Sequence, residues 1–425
     1  MSYTIRLKSG LLCLLTAALI LILAGCSRGQ ADTVSSPQAA QEAFPVPETV
    51  TQLTRLENTL GDQEGVYAFE EQVNGMMVLT YYDKTAAVSR PVCMREGCAH
   101  NSLDCPACYS PAEAPRLFAY NGCLYVLTQG IGGFCLYRQD LQGQERTEVM
   151  SQEDVTPFSE TIEGSPAGEY FDGLSLYICY QFYSPRDTAA ILKISMSNNP
   201  KASHNLLYSW REVYLRPAVR MFGPVVNGKI LLRDSMEELL MLDLDKLEKS
   251  VLNDTEEPTE LLELPIEGGW LHTVWDGKGY FAEYDYEKSA WQLTLVDMET
   301  GVQVYHLDTS GYGGMGLDTY PIECLDMAIL QGQEGQSWLA DWETGELKEL
   351  SLVRWREDIK ETILPLAQCG DEYLVKVREE LYSNFQINPG GDISTEPVYQ
   401  GQYGFISVED YLAGQPNYRI IQKAG

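Results

Sequence analysis

A mark recurring about every fifty residues constrains this chain more than any other feature. Asn121-Gly122, Asp172-Gly173, Asn227-Gly228 and Asp276-Gly277 each stand between apolar stretches, with glycines 51, 55 and 49 residues apart. Gly370-Asp371 follows after 93, near two periods, as though a turn near Gly332 had been lost. Such dipeptides suit the positive φ angles of type I′ hairpin turns. Strand-like runs follow them: "CLYVL", "LSLYICY", "KILLRD" and "EYLVKV".

A second mark falls later in each period and reads Asp-x-x-Thr-Gly at Asp297–Gly301 and Asp341–Gly345. Looser forms begin at Asp83, Asp140, Asp243 and Asp410. Two hairpins per period give four short antiparallel strands, and long helical periodicity is absent. Four-stranded units at this spacing are the sign of an all-β fold, the β-propeller, whose radial packing protects sheet edges. Seven units are expected, at about 60–95, 117–150, 168–203, 220–252, 270–305, 322–351 and 365–422, with six or eight as the neighbouring counts. The first unit is a strand short, and 49–58 is the candidate to supply it. An irregular pair of β-sandwiches is the alternative architecture.

Both marks are tight turns and fall on one side of such a disc. The other connections (88–116, 149–168, 181–189, 199–220, 252–269, 304–322 and 379–402) are long and gather on the opposite side. Long loops on a rigid scaffold are where binding resides. Their aromatics, Tyr180, Phe182, Tyr183, Tyr208, Trp210, Tyr214, Tyr312 and Tyr320, are candidate ligand-face residues, weighed against packing between blades.

The N-terminus carries an address. Arg6 and Lys8 precede an apolar run, Leu11 to Leu23, which is short for a membrane span and ends in Leu23-Ala24-Gly25-Cys26. This ending resembles the lipobox of bacterial lipoproteins. The resemblance implies cleavage before Cys26, acyl chains on that residue and residence on the outer face of the cytoplasmic membrane. Residues 1–25 are then the signal and 26–50, small, polar and proline-dotted, a flexible tether. Residues 51–425 form the propeller. The chain carries a net charge of −31, and losing Arg6 and Lys8 with the signal makes it −33. So acidic a surface repels phosphate backbones and anionic headgroups, so nucleic acid is not an expected partner and the acyl chains must supply the attachment.

The first long connection holds "PVCMREGCAHNSLDCPACYS", with Cys93, Cys98, His100, Cys105 and Cys108. With the lipobox and the "YYDKT" strand end before it, the Cys-x4-Cys-x-His-x4-Cys spacing is similar to a motif of β-propeller surface lipoproteins from anaerobic Gram-positive bacteria. That family is mostly of unknown function, and Cys108 is extra to its pattern. Three thiolates and an imidazole suit one structural Zn2+. Two disulfides, or a Cys105–Cys108 redox pair, remain the alternatives. Of eleven cysteines, nine remain without Cys13 and Cys26, an odd number that forbids complete pairing within one chain. Cys123, Cys135, Cys179, Cys324 and Cys369 read as small buried hydrophobes.

No Gly-rich phosphate loop, HExxH or GxSxG element is present, and His204, His272 and His306 are isolated. No catalytic residue is nominated. The leading expectation is a membrane-anchored binding module for a glycan, peptide or envelope protein, acting through the long-loop face. An extracellular hydrolase or lyase with acids at the mouth of the channel is the alternative, and a sensor or assembly factor the third reading.

Overall fold

The structure is a computed structural model; it describes residues 49, 51, 53–72, 75–110, 115–130, 133–155, 164–182, 188–196, 201, 204–209, 221–226, 228–233, 239–246, 259–261, 270–275, 278–308, 320–321, 328–331, 337–340, 347–356, 359–383, 386–387, 393–394 and 398–424. Among these, seven sheets of four or more strands follow one another along the chain. Residues 49–151 contribute β1 (Thr54–Arg55), β2 (Thr59–Gly61), β3 (Gly65–Glu71), β4 (Met77–Asp83), β5 (Val88–Pro91), β6 (Cys108–Tyr109), β7 (Arg116–Tyr120), β8 (Cys123–Gly130), β9 (Gly133–Asp140) and β10 (Arg146–Ser151). The first sheet is built on β2 to β5 and the second on β7 to β10; the third begins with β11 (Gly164–Phe171). The remaining four span Met221–Leu261, Trp270–Asp308, Tyr320–Glu349 and Pro365–Ile420.

The leading strands of successive sheets meet in a ring. β2 touches β7; β11 touches Met221–Val226; that strand touches Trp270–Trp275, which in turn touches Tyr320–Pro321. Pro365–Cys369 then returns to β2. The fold is therefore an all-β propeller. Alternation along each strand explains how it holds. On β3, Val66 and Ala68 face the last sheet with Leu374 and Phe405, while Tyr67 faces the second sheet with Leu124 and Val126. On β8, Tyr125 and Leu127 turn the other way, toward Leu176, Ile178 and Leu192 of the third sheet. Each buried aliphatic side chain of this kind contributes about 1.5–3 kcal/mol.

The turn chemistry follows the sequence closely. Asn121 (φ 49°) and Gly122 (φ 68°) are both left-handed, as a type I′ turn requires. Asp297 accepts from Thr300 N at 2.8 Å and Glu299 N at 3.1 Å, with Gly301 at φ 69°. Asp83, Asp140, Asp172 and Asp285 accept from following backbone N–H groups in the same way. Asp276-Gly277 and Asp341–Gly345 lie outside the described residues.

Five expectations are corrected. The missing strand of the first sheet is β2, just beyond 49–58, and its turn to β3 is closed by Asp62, which accepts from Glu64 N and Gly65 N. Thr54–Arg55, inside 49–58, instead pairs with β11 at the inner edge of the third sheet, a longer strand with a free edge to offer. The segment at 410–414 is a helix, Val408–Ala413, because Ser407 caps it at Asp410 N and left-handed Gly414 ends it. Gly332 lies outside the described residues, and the first two strands of its sheet, Tyr320–Pro321 and Ala328–Gln331, already pair ahead of it. Finally, the last sheet ends at Ile420: Gln422–Lys423 crosses to the first sheet and pairs in parallel with Val88–Ser89.

That crossing closes the ring with charge as well as backbone. Lys84 donates to Asp371 at 2.6 Å and to the Cys369 carbonyl at 3.1 Å. Arg419 binds Glu372 at 2.5 Å and donates to the Lys84 carbonyl. Buried Glu70 accepts from the Tyr82 hydroxyl at 2.5 Å and from Lys423 at 3.3 Å.

Candidate metal centre

The connection after β5 folds back instead of looping free. Tight turns bring Cys98 N to the Arg95 carbonyl (3.2 Å), Cys105 N to Ser102 (3.0 Å) and Cys108 N to Cys105 (3.1 Å). β6 then pairs with Met77 and Val78 of β4, continuing the line of β5 along the same strand. Two left-handed residues, Gly97 at φ 71° and His100 at φ 51°, bend the segment between. Glycine adopts this freely, but at His100 it carries strain of roughly 1–2 kcal/mol, of the kind held at functional positions.

These bends converge the predicted ligands. One ligand atom from each of Cys93, Cys98, His100 and Cys105 lies within 4.8 Å of the other three. His100 Nδ1 is 3.3 Å from Cys105 Sγ. Cys98 and His100 meet through turns and not along an extended segment. Backbone N–H groups of Arg95 and Ala107 point at the sulfurs of Cys93 and Cys105, two residues ahead of each thiol. Such dipoles favour thiolate over thiol.

Burial pushes the Cys93 thiol up to about 12, against the opposing Arg95 N–H. Cys105 is pushed up by its hydrogen bond with Cys108 and then by burial. Cys108 moves the other way, chiefly through that same hydrogen bond. Burial lowers the His100 pKa, keeping the imidazole neutral and able to donate a lone pair. Four metal-type donors thus stand together.

Cys108 touches this set through its hydrogen bond with Cys105 but is not among the four ligand atoms that lie within 4.8 Å of one another. It is fully buried with Cys105, Ala107, Met76 and Val78 in a small apolar cluster. Arg146, on β10, donates to the Cys108 carbonyl and to Leu103 O at 2.7 Å, and its guanidinium lies 4.7 Å from the Tyr109 ring centre. Gln139 joins Tyr109 Oη (2.9 Å) to the Val92 carbonyl (2.8 Å). The connection is therefore stitched to both the first and second sheets. No sequence signal marked Arg146 or Gln139, since each is more than thirty residues away in the chain.

The other sequence candidates divide. Cys179 and Cys369 are fully buried, as expected of small hydrophobes, whereas Cys123 and Cys135 are half-buried. Cys26, Tyr183, Trp210, Tyr214, Tyr312 and Cys324 lie outside the described residues. Tyr180, Phe182, Tyr208 and Tyr320 belong to strands Ser175–Phe182, His204–Ser209 and Tyr320–Pro321, not to loops. Their high β-propensity carries the strands further than the turn marks suggested.

A surface not foreseen replaces them. The expected loop 379–402 is largely a β-arm. Glu372–Ser383 and Val398–Ser407 stay paired beyond the sheet, through Leu381↔Tyr399 to Ser383↔Val398. Hairpin Val353–Thr362 packs against it, with Arg354 bound to Glu361 (2.9 Å) and 3.7 Å from Glu379, and Arg356 5.6 Å from the Tyr399 ring centre. Leu381 (45%), Tyr382 (61%) and Trp355 (59%) stay exposed on this ordered frame.

Two polar clusters lie elsewhere. At the ring's inner edge Leu56 N bonds Glu169 O, and Leu117 N bonds Glu57 O, so this segment bridges β7 and β11. Arg116 is 3.8 Å from Glu169. Glu57 is exposed by surface area yet crowded within the ring; partial burial raises its pKa, against Arg116 and Arg55. In the fifth sheet, Glu283, Asp285, Lys288, Gln292, Thr294 and His306 line a cavity of about 260 Å³, with Thr294 Oγ1 3.0 Å from His306 Nδ1.

No protein-family model and no curated protein matches the chain. Solved structures resemble it distantly. An oligogalacturonate lyase in complex with manganese is 10% identical, with a TM-score of 0.42 over 71% of this chain and 82% of that one. The periplasmic gluconolactonase PpgL of Pseudomonas aeruginosa is 14% identical, at 0.39 over 85% and 100%. Apo AztD from Citrobacter koseri is 11% identical, at 0.36 over 70% and 84%. The likeness lies in architecture and assigns no chemistry to this chain.

Proposed function

We propose that the chain is an extracytoplasmic propeller, lipid-anchored through Cys26, that binds a protein of the cell envelope. The observation that carries this reading is the β-arm of the last sheet. Exposed Leu381, Tyr382 and Trp355 are held on a frame fixed by Arg354, Glu361 and Glu379, so little side-chain order remains to be imposed on binding. Aromatic residues with arginine beside them are the types that dominate protein interfaces. An aliphatic Leu381 in the patch favours a protein surface over a sugar, which is gripped by ring faces and hydrogen bonds.

The test is a photo-crosslinking amino acid placed at Tyr382 in cells, with exposed Tyr286 of the fifth sheet as control. A discrete adduct from position 382, absent from 286 and lost with Leu381→Ser, is the expected result. Equal labelling at both positions, or none at 382 in intact envelopes, would sink the reading. The anchor has its own test, since Cys26→Ala should release the protein from membranes into the soluble fraction.

A second reading, hydrolysis at the axis, is favoured by the approach of Glu57 and Glu169 within the ring, with a raised Glu57 pKa. It requires a polysaccharide or peptide substrate whose turnover Glu57→Gln abolishes while the fold persists. Turnover that survives this change would exclude Glu57 as the acid.

A further inference from the structure

We infer that Cys93, Cys98, His100 and Cys105 hold one Zn2+ in a closed, structural site, and that Cys108 is not among its ligands. Zn–S bonds of about 2.3 Å and Zn–N bonds of about 2.0 Å set tetrahedral edges of about 3.8 Å between sulfurs and about 3.5 Å between sulfur and nitrogen. The His100 Nδ1 to Cys105 Sγ distance of 3.3 Å already matches such an edge, and the whole set lies within 4.8 Å. A contraction of the order of 1 Å over the widest pair completes the shell. Soft sulfur with one imidazole selects Zn2+ over the hard cations that want oxygen.

The surroundings point the same way. The Arg95 and Ala107 N–H groups are aimed at sulfur atoms that a metal would hold as thiolates. Three thiolates and one Zn2+ leave a single net negative charge, beside which stand Arg95, donating to Asp104 O at 2.6 Å, and Arg146. All four positions are filled by protein, so no place remains for a reacting water, and the ion pins the fold without performing chemistry. Cys108 shares the apolar cluster of Met76 and Val78 with Cys105, but its sulfur is outside the set of ligand atoms that lie within 4.8 Å of one another. Its sulfur supports a ligand sulfur and fills space. This inference stands apart from the proposed envelope partner and survives its failure.

The experiment uses the mature protein purified without oxygen, with metal content by mass spectrometry, free thiols by titration, and the absorption spectrum after exchange to Co2+. About one Zn2+ per chain is expected, with a Co2+ form showing intense sulfur-to-metal absorption and the strong visible bands of a tetrahedral site. Cys108→Ser should keep the metal and the spectrum. Cys98→Ser should lose most of the metal; because it can also misfold, Cys108→Ser and the wild-type Co2+ spectrum carry the decision. A Cys108→Ser protein that folds but loses its metal would overturn the ligand set. A metal-free wild type whose cluster thiols titrate only after reduction would replace the ion with disulfides. A metal-free wild type with all of its thiols free would also overturn the inference.

Discussion

Two connections that look alike in the sequence, 88–116 and 379–402, fold in opposite senses. The first turns inward in its second half, where Cys105, Ala107, Cys108 and Tyr109 are all 2% exposed or less, after a mostly exposed stretch from Met94 to Asp104. The second turns outward, and from Arg378 to Tyr382 its strand is mostly exposed. Side-chain content makes the difference. The first connection carries small and sulfur-bearing residues, which let the backbone lie flat on β4. The arm carries alternating charges and aromatics, which need room and satisfy one another across a ladder. A long connection becomes core or appendage according to what its side chains can bury.

The contrast can be broken most sharply at Tyr109. Its ring packs edge-on to Phe69 and Tyr137, so Tyr109→Ala should cost about 3–5 kcal/mol in urea unfolding. A loss under about 1 kcal/mol would mean that the connection is not part of the core. Arg146→Ala comes next, at about 1–3 kcal/mol, because it strands the Leu103 and Cys108 carbonyls. Arg146→Lys should recover little of this, since the two contacts need a planar fork. A full recovery with lysine would reduce Arg146 to a point charge.

On the arm, the expected effects are smaller and depend on pH. Burial raises the Glu379 pKa, but Lys376, Arg354 and Arg356 together outweigh it and leave the group below its ordinary value. A carboxylate depressed in the folded state stabilises it above the unfolded value of about 4.3, and that contribution disappears as pH falls through the lower folded value. Glu379→Gln should therefore be less stable than wild type at neutral pH, with the gap closing below about pH 4. A gap independent of pH would remove charge from the account of how the arm is held. Smallest of all, Leu381→Ser and Tyr382→Ser should each change stability by less than about 0.5 kcal/mol, and Leu381→Ser should abolish crosslinking from position 382. A larger loss would place these side chains in the core, not at an interface.

Local chemistry was legible in the sequence. Asn121-Gly122 and the Asp297 turn state their own geometry, because their φ angles and Asp-capped N–H groups are decided within four residues. The gathering of Cys93, Cys98, His100 and Cys105 was legible in their close spacing along the chain. The helix at Val408–Ala413 could also have been read, from Ser407 to Asp410 and the closing Gly414. What could not be read depends on distant pairings: Thr54–Arg55 against β11 and the reach of Arg146. Strands of two residues carry no periodicity, and only the assembled ring tells them which edge is free.

The parallel pairing of Gln422–Lys423 with β5 has a consequence in time. The first sheet leads the others along the chain, yet its outermost strand is made only after every other sheet. Until residues 422–423 emerge, β5 offers an open hydrogen-bonding edge, the kind that recruits strands from neighbouring chains. Closure of this ring thus waits on a two-residue strand, and a chain cut before Gln422 would hold almost every sheet yet be unable to shut.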